Sequence, residues 1–242
     1  MKMKPAPGGP EMTKALSNQY VLGIVTILLQ ILDQEFFRDV ALFLSQYNQR
    51  TQRYFAETLS EFRARYEDFP DEEGLLAVPD YIEKLIDMLE ALYQHDDRTV
   101  GFLRGAIVEQ LIYQMVLQRY SSDECFSNYR FLDSHNRNVT GQIDVAVLSH
   151  KDLVAEGYEC KIKVSGIASE DCDNLKALVK VAHNEEYAVH VGIVSFENDR
   201  SVKAKLEYLA APSYIETYGL DSIQYLRDEP QYIEPDEYIE NE

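Results

Sequence analysis

The segment QIDVAVLSHKDLVAEGYECKIK, residues 142–163, has the pattern of a β-hairpin. Two apolar runs, 142–148 and 153–163, flank the short polar link SHKD. Runs of this length on either side of a polar link are typical of antiparallel strands joined by a tight turn. We therefore predict two neighbouring strands here.

Side chains alternate between the two faces of a strand, which places charged groups of this hairpin together. Glu159 and Lys161 point to one face of the second strand, and Cys160 points to the other. Asp144, on the first strand, can lie on the same face as Glu159. The pattern thus predicts a carboxylate beside a second carboxylate and an amine, within reach of a shared ligand.

The elements around the hairpin have an informative order. Periodicity predicts a helix over 99–120, a strand over 126–133, a helix over 171–184, a strand over 187–196 and a helix over 200–210. With the hairpin, the order up to 196 is α-β-β-β-α-β. This order predicts an α/β fold with a mixed central sheet flanked by helices.

Glu109 is a candidate fourth member of the charged group. Its neighbours one helical turn away form mostly a packing stripe: Gly105, Ala106, Ile112 and Tyr113. A carboxylate facing a core requires a hydrogen-bond, ion-pair or metal partner. Clustered carboxylates can share a hard divalent cation, and oxygen ligands favour Mg²⁺ or Mn²⁺ over zinc.

In this order and on these elements, the charged residues resemble the active site of the PD-(D/E)XK nuclease superfamily, which has the restriction-endonuclease-like fold. The resemblance covers roughly 99–196. The matching residues are Glu109, Asp144, Glu159 and Lys161. The chain departs from the pattern at Ile143, which stands where the family often has proline. For Asp144, Glu159 or Lys161 taken alone, a solvent-facing strand residue is the favoured interpretation, and the joint pattern is what points to the family.

The resemblance implies a metal-dependent nuclease that hydrolyses phosphodiester bonds. It assigns Mg²⁺ or Mn²⁺ to Glu109, Asp144, Glu159 and the backbone carbonyl of Cys160. It gives Lys161 the role of orienting the attacking water and offsetting charge in the transition state. DNA rather than RNA is the implied substrate, in defence, recombination or repair.

Three further lysines are candidate nucleic-acid contacts. Lys176 and Lys180 lie one helical turn apart, and Lys163 continues the face of Glu159 and Lys161. Lysines so placed can touch a phosphate backbone. An ordinary solvated helix face explains Lys176 and Lys180 equally well.

Charge divides the chain into three segments. The net charge of −19 consists of −8 in an N-terminal arm and helical region (1–97), −4 in the nuclease-like domain (98–227) and −7 in an acidic tail (228–242). A strongly acidic protein is a poor electrostatic match for phosphates. The domain with the motif is nearly neutral, so that objection is weakened.

The front of the chain carries no recognisable catalytic pattern. Residues 1–14 contain three prolines and two glycines and are predicted to form a loose arm. Helical periodicity covers 17–66, a break is predicted at 69–74, and another helix follows Pro79. These amphipathic helices are candidates for covering the sheet, for a homodimer interface or for binding a protein partner.

Composition also excludes several classes of protein. The three cysteines, Cys125, Cys160 and Cys172, lack zinc-ligand spacing and cannot all be paired, so a disulfide framework is not expected. The apolar run 21–32 is shorter than the roughly 20 residues that cross a bilayer. We therefore expect a cytoplasmic protein without membrane association.

Two alternatives to an enzyme follow from the same residues. One is a catalytically inactive nuclease fold that serves as a binding or assembly module. The other is an acidic helical interaction protein in which the motif arises by chance. The intact set of four residues argues against the inactive module, and the overall acidity argues for it.

Overall fold

A computed structural model of the chain describes residues 1–6, 10–67 and 80–235. Contacts divide these residues into two units. One unit is helical and lies within Pro10–Ile107, and the other combines Met1–Gly9 with Val108–Glu242. Within the described ranges, no helix is both long and apolar enough to cross a membrane.

The helical unit confirms the helical periodicity of the front half. Its described elements are α1 (Pro10–Leu16), α2 (Gln19–Gln30), α3 (Glu35–Gln46), α4 (Phe55–Glu67), α5 (Asp80–Leu92) and the first part of α6 (Asp97–Val116). The predicted helical stretch 17–66 is thus divided among separate helices. Asn18 starts α2, because its side chain accepts hydrogen bonds from the N–H groups of Tyr20 and Val21. The break predicted at 69–74 lies outside the described residues.

Arg104, on α6, closes the end of α3. Its Nε donates to the carbonyl of Leu44 at 2.7 Å, and its Nη2 donates to the carbonyl of Ser45 at 3.3 Å. Carbonyls in the last turn of a helix lack helical partners, so the buried guanidinium satisfies them. The first part of α6 therefore belongs to the helical unit. The boundary between the units falls inside α6, after Ile107, rather than at the predicted 97/98.

The second unit is built on a mixed sheet of six described strands in the order β1 to β6. The strands are β1 (Lys2–Pro5), β2 (Cys125–Leu132), β3 (Ile143–Ser149), β4 (Val154–Lys161), β5 (Ala188–Ser195) and β6 (Glu216–Tyr218). Strands β1 to β4 pair antiparallel, and β4, β5 and β6 pair parallel. Helices α7 (Ser169–Asn184) and α8 (Asp199–Tyr208) complete the unit. The predicted mixed α/β class is confirmed.

The predicted hairpin is formed by β3 and β4. Val145 pairs with Tyr158, and Ser149 pairs with Val154 at the turn. The Ser149 hydroxyl donates to Oδ2 of Asp152 at 2.9 Å and closes the polar link. All seven residues of β3 are buried, as expected for a strand covered on both faces.

Helix α7 lies directly against the face of β4 that carries Glu159. A Cβ atom at Gly157 would lie 2.5 Å from Cδ2 of Leu178 on α7, so glycine permits the close approach. Gly157 and Glu159 are two residues apart and share a face. The packing therefore brings the start of α7 towards the charged residues of the hairpin.

The first residues of the chain form a strand rather than the loose arm predicted over 1–14. Residues Lys2–Pro5 pair with β2, with Met3 opposite Phe131 and Pro5 opposite Tyr129. The outer backbone groups of β2 would otherwise remain unpaired. Composition alone suggested a loop because proline and glycine are frequent there.

The predicted solvated tail, 228–242, also differs from the structure in its described part. Ile233 exchanges two backbone hydrogen bonds with Val189 of β5, at 3.0 and 2.9 Å. This short antiparallel pairing lines the edge of β5 beyond β6. Residues 236–242 lie outside the described residues.

Glu156 of β4 is fully buried at the centre of a polar network. The Arg119 guanidinium donates to its two carboxylate oxygens at 2.7 and 2.8 Å. The hydroxyls of Tyr120, Tyr158 and Tyr232 donate to the same carboxylate at 2.6 to 2.8 Å. Tyr232 thus anchors the C-terminal segment to the sheet.

The network also accounts for the end of α6. The helix ends at Val116, short of the predicted 120. Arg119 and Tyr120 lie in the following turn, where their side chains reach the carboxylate of Glu156. Periodicity cannot reveal this end, because the partner is on a distant strand.

We expect Glu156→Gln to lower the free energy of unfolding by about 3 kcal/mol at pH 7, because Arg119 then remains buried without its counter-charge. Burial opposes ionisation of Glu156, but the hydrogen bonds and charge of Arg119 outweigh it, and the pKa lies below its ordinary 4.5. A group with a lowered pKa stabilises the fold above its ordinary pKa and loses that effect as the pH falls. The difference between wild type and variant should therefore shrink below pH 4.5.

Urea unfolding between pH 3 and 8 measures this difference. Glu207→Gln, the same substitution at an exposed position of α8, should change stability by less than about 0.5 kcal/mol. A cost of Glu156→Gln that is independent of pH would contradict the interpretation.

Candidate active site

Asp144 and Glu159 face each other across the hairpin. Because Val145 pairs with Tyr158, the next positions along the two strands, Asp144 and Glu159, lie opposite one another on one face. Both side chains are buried, with residue exposures of 7% and 2%. The backbone N–H of Cys160 donates to Oδ2 of Asp144 at 2.8 Å. This bond fixes the carboxylate of Asp144 against β4.

Lys161 joins the two carboxylates. Its Nζ lies 3.3 Å from Oδ2 of Asp144 and 3.1 Å from Oε2 of Glu159. A third carboxylate, Oδ1 of Asp171 on α7, lies 3.0 Å away. Burial opposes the charge of the ammonium, yet the three carboxylates raise the pKa of Lys161 above its ordinary value. Lys161 is therefore fully charged at neutral pH.

Glu109 approaches the same region from α6. It is only 3% exposed, and its Oε2 accepts a hydrogen bond from Nδ2 of Asn128 at 3.1 Å. Burial and the negative charge of Asp144 raise the pKa of Glu109 to about 8. Asn128 lies on β2 between the register pairs that flank Asp144, and Gln142 donates to its side-chain oxygen. Glu109 is thus linked to the hairpin through Asn128.

The cluster has more acidic groups than basic ones. Among the described residues that form it, the carboxyl groups of Asp144, Glu159 and Asp171 contact the single ammonium of Lys161, and Glu109 lies close enough for the charge of Asp144 to raise its pKa. Burial and the charge of Asp144 raise the pKa of Glu159 well above its ordinary value, although Lys161 opposes the shift. The same burial raises the pKa of the Cys160 thiol, so Cys160 carries no reactive thiolate. A carboxyl group whose pKa is raised in this way loses its proton more readily when a cation supplies positive charge nearby, so the cluster favours binding of a cation.

No group of three or more His, Cys, Asp or Glu residues is arranged to hold a metal ion in the part of the chain that the structure describes. The ammonium of Lys161 contacts the two opposed carboxylates of the hairpin. Mg²⁺ is commonly bound through only one or two carboxylates and keeps several waters. The oxygen chemistry of Asp144 and Glu159 therefore fits Mg²⁺ or Mn²⁺ without a preformed three-residue cage.

Four polar residues of the site were not predicted from the sequence. Two are Asn128 and Gln142, beside Glu109, and two are Asp171 and Asn174 on α7. The Asn174 side chain accepts from the N–H of Gly141 at 2.8 Å and donates to the carbonyl of Gln142 at 3.2 Å. It also lies 3.5 Å from Oε1 of Glu159. The one available signal was Gly157, since a glycine inside a strand can mark the close approach of another element.

The three candidate nucleic-acid lysines do not join the cluster. Lys163 precedes a short 3₁₀ turn, Val164–Gly166, and is half-buried. Lys176 forms an ion pair with Asp173 at 3.1 Å, and Lys180 is exposed on α7. Phosphate contact by these lysines stays a prediction.

No protein-family model matches the chain, and no curated protein matches it. Function is therefore inferred from the geometry and chemistry of the site itself.

We expect Asn174→Ala to lower the free energy of unfolding by about 2 kcal/mol, because the N–H of Gly141 and the carbonyl of Gln142 both lose their partner. Chemical denaturation measures the change. Lys176→Ala on the same helix removes only a solvent-exposed ion pair and should cost less than about 0.5 kcal/mol. Equal effects of the two substitutions would argue against a structural link between α7 and the hairpin at Asn174.

Proposed function

We propose that this protein is a metal-dependent nuclease that hydrolyses phosphodiester bonds, and that its sheet unit has the restriction-endonuclease-like fold. The observation that carries the proposal is the ammonium of Lys161 within 3.3 Å of Asp144 and 3.1 Å of Glu159 on adjacent strands. The element order α6-β2-β3-β4-α7-β5 supports the proposed fold. Strands β1 and β6 extend the sheet outside that core.

The proposed metal ligands are carboxylates of the hairpin and its neighbouring helix. Asp144 and Glu159 would hold Mg²⁺ or Mn²⁺, with Glu109 and the backbone carbonyl of Cys160 completing the protein ligands. The clustering of buried carboxyl groups supports this assignment, because hard divalent cations prefer carboxylate oxygen ligands and bind them in the deprotonated form. When bound, such an ion acts as a Lewis acid and makes a bound water more acidic.

The residues of the chain have distinct roles in the proposed reaction. Asp144 is held in one orientation by the N–H of Cys160, which lowers the entropy cost of arranging the site. The ammonium of Lys161 orients the attacking water and offsets negative charge that develops on the phosphate in the transition state. Its raised pKa keeps this charge at neutral pH. Lys163, Lys176 and Lys180 are proposed contacts for the nucleic-acid backbone.

The proposed substrate is DNA, which follows from the resemblance to the nuclease superfamily. Defence against foreign DNA, recombination and repair all fit a cytoplasmic enzyme of this kind. Cleavage of both strands of a duplex usually uses two active sites, which would suit a homodimer or a protein partner bound through the N-terminal helices.

A catalytically inactive module is the second candidate function. It is favoured by the three carboxylates that already pair with Lys161 and by the net charge of −19, which is a poor match for phosphates. Such a protein would keep the sheet as a binding or assembly surface and cleave nothing.

A cleavage assay distinguishes the two functions. Plasmid and single-stranded DNA are incubated with the protein and Mg²⁺ or Mn²⁺, with EDTA as the metal-free control. We expect metal-dependent cleavage that falls about 100-fold or more in Asp144→Asn and Lys161→Ala, because each removes a charge that acts in the transition state.

Matched substitutions at exposed positions serve as controls for the assay. Lys151→Ala in the hairpin turn and Asp123→Asn in the turn before β2 should retain the wild-type rate. Cleavage that persists in Asp144→Asn, or a folded wild-type protein that cleaves neither substrate, would contradict the proposed enzyme.

Metal binding itself gives a second test that does not require cleavage. Millimolar Mn²⁺ should raise the melting temperature of the wild-type protein by about 2–4 °C, because a ligand that binds only the folded state stabilises it. Asp144→Asn should abolish the rise, and Asp123→Asn should preserve it. Differential scanning calorimetry measures both. An equal rise in wild type and Asp144→Asn would place the metal elsewhere.

A further inference from the structure

Asp171 occupies a position that links the start of α7 to Lys161. It is the third residue of the helix, and its Oδ2 accepts a hydrogen bond from the N–H of Ala168 at 2.7 Å. Its other oxygen, Oδ1, lies 3.0 Å from Nζ of Lys161. Its side chain is 13% exposed and that of Lys161 is 21% exposed. The two oxygens of the Asp171 carboxylate therefore have different partners: one accepts from the backbone at the start of α7, and the other contacts the ammonium of Lys161.

The three carboxylates around Lys161 are not equivalent. Asp144 and Glu159 contact the ammonium through Oδ2 and Oε2, and both are proposed metal ligands. A divalent cation on these carboxylates would compete with the ammonium for their negative charge and would repel it. Asp171 projects from α7 rather than from the hairpin. It is the carboxylate that such a cation would leave to Lys161.

We propose that Asp171 is a positioning residue that holds the ammonium of Lys161 in the site when a divalent cation engages Asp144 and Glu159. This inference rests on the proposed nuclease function. In the metal-free protein, Asp144 and Glu159 are sufficient to hold Lys161. With metal bound, the contact at 3.0 Å supplies the counter-charge that keeps the two cations close together.

A purely structural role for Asp171 makes a different prediction. If its function were only to accept from the N–H of Ala168, Asp171→Asn would preserve it, because the amide oxygen is also an acceptor. The positioning role needs the negative charge. Asp171→Asn therefore separates the two roles, and Asp171→Glu restores the charge on a longer side chain.

Lys161 can be observed directly by the ¹H–¹⁵N spectrum of its ammonium group. A lysine ammonium held by carboxylates exchanges its protons slowly and gives a sharp signal, and Lys161→Arg identifies that signal by its loss. Adding Mg²⁺ should perturb the signal in the wild-type protein without removing it. In Asp171→Asn the signal should be present without metal and broaden beyond detection with Mg²⁺.

Asp173→Asn is the matched control, since Asp173 lies on the same helix and pairs with Lys176 at 3.1 Å. Its spectra should follow those of the wild type with and without Mg²⁺. Should Asp171→Asn fail to fold, Asp171→Glu provides the comparison. Its Lys161 signal should remain detectable with Mg²⁺ but be weaker than that of the wild type.

Kinetics give an independent readout in the cleavage assay. Asp171→Asn should lower kcat about 10- to 100-fold with little change in KM or in the Mg²⁺ concentration needed for half-maximal rate, as is usual when a residue that orients a catalytic group is lost. Asp171→Glu should recover part of the rate. Asp173→Asn should retain it.

The positioning role of Asp171 and the proposed metal site would be overturned by different results. A signal of Lys161 that survives Mg²⁺ equally in wild type and Asp171→Asn, or an unchanged kcat in that variant, would overturn the positioning role while leaving the nuclease intact. A wild-type spectrum that does not respond to Mg²⁺ would overturn the proposed metal site and, with it, the role of Asp171.

Discussion

The sheet unit depends on the burial of several carboxylates around one ammonium group. Asp144, Glu159 and Asp171 come from two strands and a helix, and all three contact Lys161 within 3.3 Å. Removing these charges from water has a large free-energy cost, which ion pairing offsets only in part. The raised pKa of Glu159 reflects the part of this burial cost that ion pairing does not offset. Such a cost marks this cluster as the candidate functional site.

Strand β4 also buries Glu156, on the face opposite to Glu159. The two carboxylates differ in how their burial is compensated. Glu156 is paired with Arg119 and receives three tyrosine hydroxyls, so burial does not prevent its pKa from falling below the ordinary value. Within residues 1–6, 10–67 and 80–235, Glu159 has no comparable set of donors, and its pKa rises. The contrast separates a carboxylate whose hydrogen-bond donors offset its burial from one whose ionised form is still disfavoured by burial. Because side chains alternate between the faces of β4, Glu156 and Glu159 lie on opposite faces although they are only three positions apart.

Much of the sheet unit could be predicted from local pattern, because the relevant signals are short-range. The apolar runs and the polar link predicted the β3–β4 hairpin, and alternation alone placed Glu159 and Lys161 on one face. Signals that depend on distant partners were missed. The first residues were predicted to form a loose arm, yet they pair with β2, and Tyr232 and Ile233 contact the sheet in a segment predicted to be solvated.

The amino-acid sequence by itself determined the strands of the hairpin, the helices before and after it, and the charged residues that share a face. These properties follow from periodicities of two and 3.6 residues, which act over a few neighbouring positions. Only the tertiary structure decided that α7 lies close enough for Asp171 to reach Lys161 and for Asn174 to reach Glu159. Those contacts join residues 10 and 15 positions apart on different elements, and they depend on the depth of packing at Gly157. No local pattern encodes a distance between two packed surfaces.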